Sequence, residues 1–86
     1  MTFFHGTSEQ RWVAIQREGV LWGIRNAPSR CTYLACREEE AATYGGVVLR
    51  VEYEPGGGID NYCEGCWQLR VYTPIPLSAV TRVPQG

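Results

Sequence analysis

The sequence predicts an α+β domain, a small and mostly antiparallel β-sheet with two short helices. Three observations indicate this class. Apolar and polar residues alternate in short runs, most clearly over Val47–Tyr53 and Trp67–Tyr72. Two segments of helix-forming residues end at glycine, and clusters of glycine and proline separate the runs. The 86 residues are therefore expected to form a single domain, residues 1–86, with about five or six strands.

The chain begins with a predicted strand, turn and helix. Thr2–His5 is short and apolar and leads into a glycine-containing turn. Ser8 then caps a helix that runs from Glu9 to about Glu18, and Gly19 ends it. The predicted buried face of this helix consists of Trp12, Val13 and Ile15.

The remaining predicted elements follow the same rules. A second short helix covers Arg37–Tyr44 and stops at a glycine pair. The predicted strand Trp67–Tyr72 ends near Pro74 and directs Leu69 and Val71 to the core. A glycine-rich loop precedes that strand. The other predicted strands are 20–24, 31–35, 47–53 and 80–83, with a loop at 26–29 and a turn at 77–79.

The charge balance excludes several classes of protein. Eight basic residues, all arginine, stand against nine acidic ones, which gives a net charge of −1. A protein that binds duplex nucleic acid through its phosphates should be clearly basic, so we do not expect duplex binding. No apolar run approaches the roughly 18 residues of a membrane span, and no secretory signal begins the chain. We therefore expect a cytoplasmic protein with no membrane partner.

Four cysteines leave three alternatives open. Cys31 and Cys36 flank a predicted strand, and Cys63 and Cys66 form a C-x2-C pair. A four-thiolate zinc site requires all four sulfurs to converge, whereas residues five apart on a strand face opposite ways. Free, half-buried thiols are therefore favoured over structural zinc, and a disulfide is the third alternative.

Three further features concern ligand binding. His5 and Gly6 end a strand where a helix begins, and the free backbone amides there suit an anion or an amide-bearing ligand. Tyr33 on a strand and Tyr44 on the following helix are placed to sandwich a flat ring. Gln68 is expected to overlook the same cleft from a later strand.

Together these residues resemble the ADP-ribosyltransferase superfamily, specifically its diphtheria-toxin-like or poly-ADP-ribose-polymerase-like branch. The turn His5-Gly6-Thr7 is similar to the family's first motif, and Tyr33 and Tyr44 have the spacing of its Tyr-x10-Tyr motif. The resemblance implies a split-sheet fold, with NAD or an ADP-ribose-type nucleotide as the ligand. It also implies that His5 holds the adenine-side ribose, that the Gly6 backbone binds the nicotinamide amide, and that the two tyrosines flank the nicotinamide ring.

One position departs from the family. Where its pattern has a catalytic glutamate that opens a late strand, this chain has Gln68. The family's carboxylate stabilises the positive charge that develops as nicotinamide leaves, whereas an amide bonds a hydroxyl but carries no charge. We therefore expect a small-nucleotide binder that sequesters its ligand without turnover, such as a phage anti-defence sponge.

Arginines complete the predicted ligand-binding set. Arg25 and Arg30 lie in the loop before the Tyr33 strand and are expected to contact a diphosphate. The full set is His5, Gly6, Thr7, Arg25, Arg30, Tyr33, Tyr44, Gln68 and Arg70. The oligomeric state, a homo-oligomer included, stays open.

Three alternatives differ from sequestration. An active mono-ADP-ribosyltransferase would modify a protein or nucleic-acid target, with the target's own carboxylate, Glu64 or Asp60 replacing the missing glutamate. The first motif also resembles that of NAD-dependent RNA 2′-phosphotransferases, which use arginines such as Arg25, Arg30 and Arg70 but carry an extra N-terminal domain. The third alternative is a zinc-stapled interaction module built on the four cysteines.

Overall fold

The computed structural model describes residues 1–23, 30–54, 60–62 and 68–84, with the side chains of 60–62 and 68 outside the description. Its strands are β1 (Thr2–Thr7), β2 (Val20–Leu21), β3 (Thr32–Ala35), β4 (Val47–Glu52), β5 (Asp60–Tyr62), β6 (Gln68–Val71), β7 (Ile75–Pro76) and β8 (Val80–Arg82). Its helices are α1 (Glu9–Glu18) and α2 (Glu38–Ala41), with 3₁₀ turns at Ala42–Tyr44 and Leu77–Ala79. No helix among these residues is long and apolar enough to cross a membrane.

Antiparallel pairing organises all of these strands. The main sheet has six strands in the order β5-β6-β3-β1-β4-β8, and β2 pairs with β7 in a separate two-stranded sheet. Together with the two short helices, these sheets confirm the predicted α+β class.

Helix α1 forms as its capping residues predict. The Ser8 hydroxyl accepts a hydrogen bond from the backbone N–H three residues later, at 3.1 Å, and Gly19 ends the helix with a φ of 82°. Ile15 is 1% exposed and packs against the sheet, but Val13 is 46% exposed. The prediction that Val13 belongs to the buried face was wrong, because residues two apart on a helix point in nearly opposite directions.

Both faces of the sheet are covered. On one face Leu49 and Leu69 are fully buried beneath α1. On the other face Val48 of β4 packs with Ala35 and Ala41, the last of which belongs to α2. The alternation over Val47–Tyr53 indicates one buried face for β4, and the packing of α2 against the other face accounts for the second.

Two edge features differ from the sequence prediction. Asp60–Tyr62 was placed in a glycine-rich loop, but it forms β5 and pairs with β6 at the sheet edge. Ile75–Pro76 was read as the end of a strand, but it pairs with Val20–Leu21 in the second sheet. Strand β5 has three residues and β7 has two, too few for an alternating pattern to identify. Strand β5 pairs with β6, the next strand along the chain, whereas β7 pairs with the distant β2.

The main sheet opens between its two central strands. β1 pairs with β4 over six residues, from Thr2 to Thr7, but with β3 only through Phe4 and Ala35. No other pair of residues in β1 and β3, both fully described, is in register. A cleft therefore lies between the two strands, next to the start of α1.

Candidate functional site

The cleft has two adjoining lobes. The first, the aromatic lobe, has a volume of about 360 Å³ and is lined by Phe4, His5, Gly6, Tyr33, Ala35, Ala41 and Tyr44. The second, the cationic lobe, has a volume of about 600 Å³ and shares His5, Gly6, Tyr33 and Tyr44 with the first. Four residues singled out in the sequence, spread over 40 positions, thus lie at one place, which is large enough for a nucleotide-sized ligand.

A contact with β3 fixes the imidazole of His5. Its Nδ1–H donates to the carbonyl oxygen of Tyr33 at 2.8 Å, which leaves Nε2 of the neutral ring as an acceptor. The pKa of His5 is lowered from its ordinary value of 6.5, mainly because burial disfavours the charged ring. The Tyr33 carbonyl acts in the opposite direction, and the positive charge of Arg11 lowers the pKa further. At neutral pH His5 therefore lines the cleft as an uncharged ring whose Nε2 can accept a hydrogen bond.

Close backbone packing at Gly6 forms the wall beside His5. A Cβ at Gly6 would lie 1.8 Å from the carbonyl oxygen of Ala41 and 3.2 Å from Cβ of Tyr44. The first distance is far below any real contact, so no larger residue fits without a shift of the backbone. This close approach brings Tyr44 to the end of β1.

Tyr33 and Tyr44 expose large aromatic surfaces at the cleft. Their exposed fractions are 50% and 59%, unusually high for side chains of this size. The pKa of the Tyr33 phenol is raised from its ordinary value of 10.0, first because of a side-chain hydrogen bond with Cys31. The Tyr33 phenol is therefore uncharged at neutral pH, and its exposed ring can stack on a planar group.

Arg70 and Arg11 give the cationic lobe its charge. Arg70 lies directly opposite Tyr33 in the pairing of β6 with β3, and it lines this lobe together with Thr7. Arg11 comes from the first turn of α1 and was missed in the sequence. Its position three residues after Ser8 was the available signal, because a side chain there lies beside the junction between β1 and α1. The turn predicted at Gly6-Thr7 was wrong, because both residues continue β1 and pair with β4.

Arg30 is held by contacts within the protein. Its guanidinium forms an ion pair with Glu18, donates from Nε to the carbonyl of Gly23 at 2.9 Å, and lies 3.9 Å from the ring centre of Trp22. Arg30 is not among the described residues that line either lobe. Arg25, its predicted companion in diphosphate binding, lies outside the described residues.

Gln68, which was expected to overlook the cleft, begins its strand next to the aromatic lobe. The backbone of Gln68 opens β6 and pairs with Ala35, which lines that lobe. Asp60, offered as a substitute carboxylate in a loop, lies instead in β5 opposite Val71. Glu64, the other substitute, lies outside the described residues.

The cysteines are separated by a strand. Cys31 is half-buried and Cys36 is exposed. Cys31 immediately precedes β3 and Cys36 immediately follows it. Five extended residues place their Cα atoms about 16 Å apart, too far for one disulfide or one zinc ion. Among the described residues, no group of three or more histidine, cysteine or acidic side chains could hold a metal. Cys63 and Cys66 lie outside the described residues.

The lining determines what the cleft can do chemically. Among its described residues Arg11 and Arg70 carry charge, and none is a carboxylate. These groups can stack on a planar ring, bond to hydroxyls and attract phosphate. Cleavage of a glycosidic bond develops positive charge on the sugar in the transition state. The nearby guanidinium groups would destabilise that charge, so this lining is unfavourable for such a cleavage.

No family model, curated protein or solved structure matches this chain. The resemblance to the ADP-ribosyltransferase superfamily therefore stays a prediction from the motif residues. The α+β class is established by the fold itself.

Proposed function

We propose that this protein binds an NAD-derived nucleotide in the cleft and sequesters it without turnover. The candidates are NAD, ADP-ribose and cyclic or conjugated forms of ADP-ribose. The observation that carries the proposal is the convergence of His5, Gly6, Tyr33 and Tyr44 on one cleft. In this proposal the protein acts as a sponge for an NAD-derived signal, as a phage anti-defence protein would.

The aromatic lobe supports binding of a planar ring. Tyr33 and Tyr44 expose half or more of their surface there, and Phe4 and Ala35 add apolar lining. Stacking a base or a nicotinamide ring would cover this surface, and aromatic stacking stabilises nucleotide complexes by about 1–3 kcal/mol per base.

His5 supports recognition of a ribose. Its Nδ1–H is engaged by the Tyr33 carbonyl, so Nε2 accepts a hydrogen bond and cannot donate one in the neutral ring. A ribose hydroxyl supplies the matching donor. The lowered pKa of His5 keeps this arrangement in place at neutral pH.

The charge of the lining supports binding without turnover. Arg11 and Arg70 favour the anionic phosphates of the ligand, while no described carboxylate is present to stabilise a cationic sugar. At the position of the family's glutamate the chain has the neutral Gln68. Both features favour a bound ground state over the transition state for loss of nicotinamide.

Calorimetric titration with NAD, ADP-ribose and cyclic ADP-ribose tests the proposal, followed by chromatography of the recovered ligand. We expect at least one of these ligands to bind and to be recovered intact. Tyr33→Ala and Tyr44→Ala should weaken binding tenfold or more while leaving the melting temperature nearly unchanged, because both rings are exposed.

Val13→Ala provides the matched control, since Val13 is similarly exposed but lies on α1 outside the lining. It should leave the affinity unchanged. Release of nicotinamide or transfer of ADP-ribose to a partner would contradict sequestration and would support an active transferase instead. Failure of every ligand to bind would overturn the proposal.

A further inference from the structure

A single indole joins two parts of the wall of the cationic lobe. Trp22 directly follows β2, lines this lobe and is half-buried. Its Nε1–H donates to two backbone carbonyl oxygens, those of Arg30 and Tyr72, each at 3.2 Å. Tyr72 directly follows β6 and lines the same lobe. The indole therefore connects the ends of two strands that belong to different sheets and lie 50 residues apart.

Arg30 fixes the orientation of this indole. Its guanidinium lies 3.9 Å from the centre of the Trp22 ring, donates from Nε to the Gly23 carbonyl at 2.9 Å and pairs with Glu18 at the end of α1. A planar guanidinium stacks on a ring and binds two partners in fixed directions, which a lysine ammonium does not. Because the indole N–H is divided between two acceptors, its hydrogen bonds orient the ring less strongly than one short bond would.

The same arginine holds together two further parts of the wall. Gly23 and Cys31 both line the lobe, and a Cβ at Gly23 would overlap the backbone carbonyl of Cys31. Arg30 precedes Cys31 in the chain and donates to the Gly23 carbonyl, so it keeps these two backbone segments in contact. These contacts connect four lining residues, Trp22, Gly23, Cys31 and Tyr72, to one arginine that is not among the described residues lining either lobe.

We infer that Arg30 is a positioning residue of the cationic lobe and acts on the bound ligand through the indole of Trp22. That the ligand is an NAD-derived nucleotide rests on the proposed function. A site binds more tightly when supporting residues hold its lining in the bound geometry before the ligand arrives. In this role the planar shape of the Arg30 side chain contributes as well as its charge, which distinguishes positioning from simple stabilisation of the fold.

Arg30→Lys separates the shape of the side chain from its charge. Lysine keeps a positive charge beside Glu18, so we expect the melting temperature to fall by no more than about 5 °C. The affinity for ADP-ribose, measured by calorimetry well below the melting temperature, should fall about tenfold because the indole loses its stacking partner.

Arg82→Lys is the matched control for this substitution. Arg82 also pairs with a glutamate of α1, Glu9, but it is not among the described residues that line the cleft. It should leave the affinity for ADP-ribose unchanged. An equally unchanged affinity in Arg30→Lys would overturn the positioning role.

Trp22→Phe tests whether Arg30 acts through the indole. It removes the N–H and keeps an aromatic ring, and we expect a loss of ADP-ribose affinity similar to that of Arg30→Lys. The double variant should bind no more than about twofold more weakly than either single variant, because both changes release the same ring. Additive losses would show that Arg30 acts on the ligand independently of Trp22, which would overturn the inference.

Hydrogen exchange of the Trp22 indole N–H provides a readout that needs no ligand. Nuclear magnetic resonance can follow it, with the signal assigned from its absence in Trp22→Phe. Exchange should be about tenfold faster in Arg30→Lys than in the native protein. The indole of Trp12, which packs against the core, is the internal reference, because a general loss of stability would accelerate exchange at both tryptophans.

The outcomes separate this inference from the proposed function. If ADP-ribose binds the native protein and Arg30→Lys equally well, the positioning role is wrong and the proposed function stands. If neither NAD nor any form of ADP-ribose binds the native protein, the proposed function falls and the exchange rates decide the inference. Faster exchange at Trp22 alone then supports the positioning role, and equal rates in the two proteins overturn it.

Discussion

The Nδ1–H of His5 donates to the carbonyl oxygen of Tyr33 at 2.8 Å, across the opening between β1 and β3. A side-chain donor thereby replaces a backbone donor, so the carbonyl of β3 stays satisfied where the two strands are no longer in register. The same bond fixes which nitrogen of the imidazole carries the proton. This contact therefore bridges the opening of the sheet and fixes the tautomer of the His5 ring that lines the cleft.

The first prediction concerns the titration of His5. We expect its imidazole to titrate below 6.5, because burial disfavours the charged ring. Nuclear magnetic resonance can measure this directly, since the chain contains one histidine. Arg11→Gln should raise the pKa by removing a nearby positive charge, whereas Arg17→Gln should leave it unchanged. A pKa at or above 6.5 in the native protein would contradict the burial argument.

The same shift predicts how stability depends on pH. The unfolded chain binds a proton at His5 more readily than the folded protein, because the pKa is lower in the folded state. The contribution of the neutral ring is therefore complete above pH 6.5 and is lost as the pH falls through the lowered pKa. Urea unfolding at pH 7.5 and 5.5 measures this loss. His5→Asn keeps an N–H donor but does not titrate, so its free energy of unfolding should change less across this interval.

Local signals in the sequence located helix α1. The cap at Ser8 and the left-handed Gly19 define α1 because both act within one turn of the helix. Strand β5 and the pairing of β2 with β7 gave no such signal. Strand β5 is too short for an alternating pattern to identify, and the β2–β7 pair joins segments far apart in the chain, which a local pattern does not contain.

The candidate site was predictable to a similar extent. His5, Tyr33 and Tyr44 were singled out because their spacing resembles a family motif, and the fold brings them to one cleft. Arg11 was missed because its place in the cleft depends on how α1 packs beside the opening of the sheet. Arg30 was assigned to a ligand because its partner within the protein, Glu18, lies twelve residues earlier.

Gly6→Ala tests the packing that forms the cleft wall. The new Cβ would lie 1.8 Å from the Ala41 carbonyl oxygen, so β1 or α2 must move. We expect a loss of about 2–3 kcal/mol in the free energy of unfolding, equivalent to roughly 10 °C or more in melting temperature. Gly46→Ala is the control, because nothing lies within 4 Å of its Cβ position. Equal melting temperatures for the two variants would contradict the close approach.

Arg30→Gln tests whether this arginine stabilises the fold. The side chains of Arg30 and Glu18 are 17% and 22% exposed, so removing one charge leaves its partner poorly solvated. We expect a loss of about 2 kcal/mol in urea unfolding. Arg82 pairs with Glu9 at 40% and 68% exposure, and Arg82→Gln should cost no more than about 0.5 kcal/mol. Unchanged stability with a tenfold loss of ADP-ribose affinity would instead assign Arg30 to the ligand.

Gln68→Glu tests whether the missing carboxylate accounts for the absence of turnover in the proposed function. Gln68 opens β6 opposite Ala35 of the aromatic lobe, so the variant introduces a negative charge at the family's catalytic position. Such a charge stabilises the cationic sugar as nicotinamide leaves. We expect nicotinamide release from NAD at least tenfold faster than with the native protein, measured by chromatography.

The matched control for this gain of activity is Gln16→Glu, which makes the same change at an exposed position of α1 outside the cleft lining. It should leave nicotinamide release at the native level. Binding of NAD to Gln68→Glu with no release would mean that position 68 does not face the reacting bond. Rapid release by the native protein would show that turnover does not require a carboxylate here, which would support the transferase alternative over sequestration.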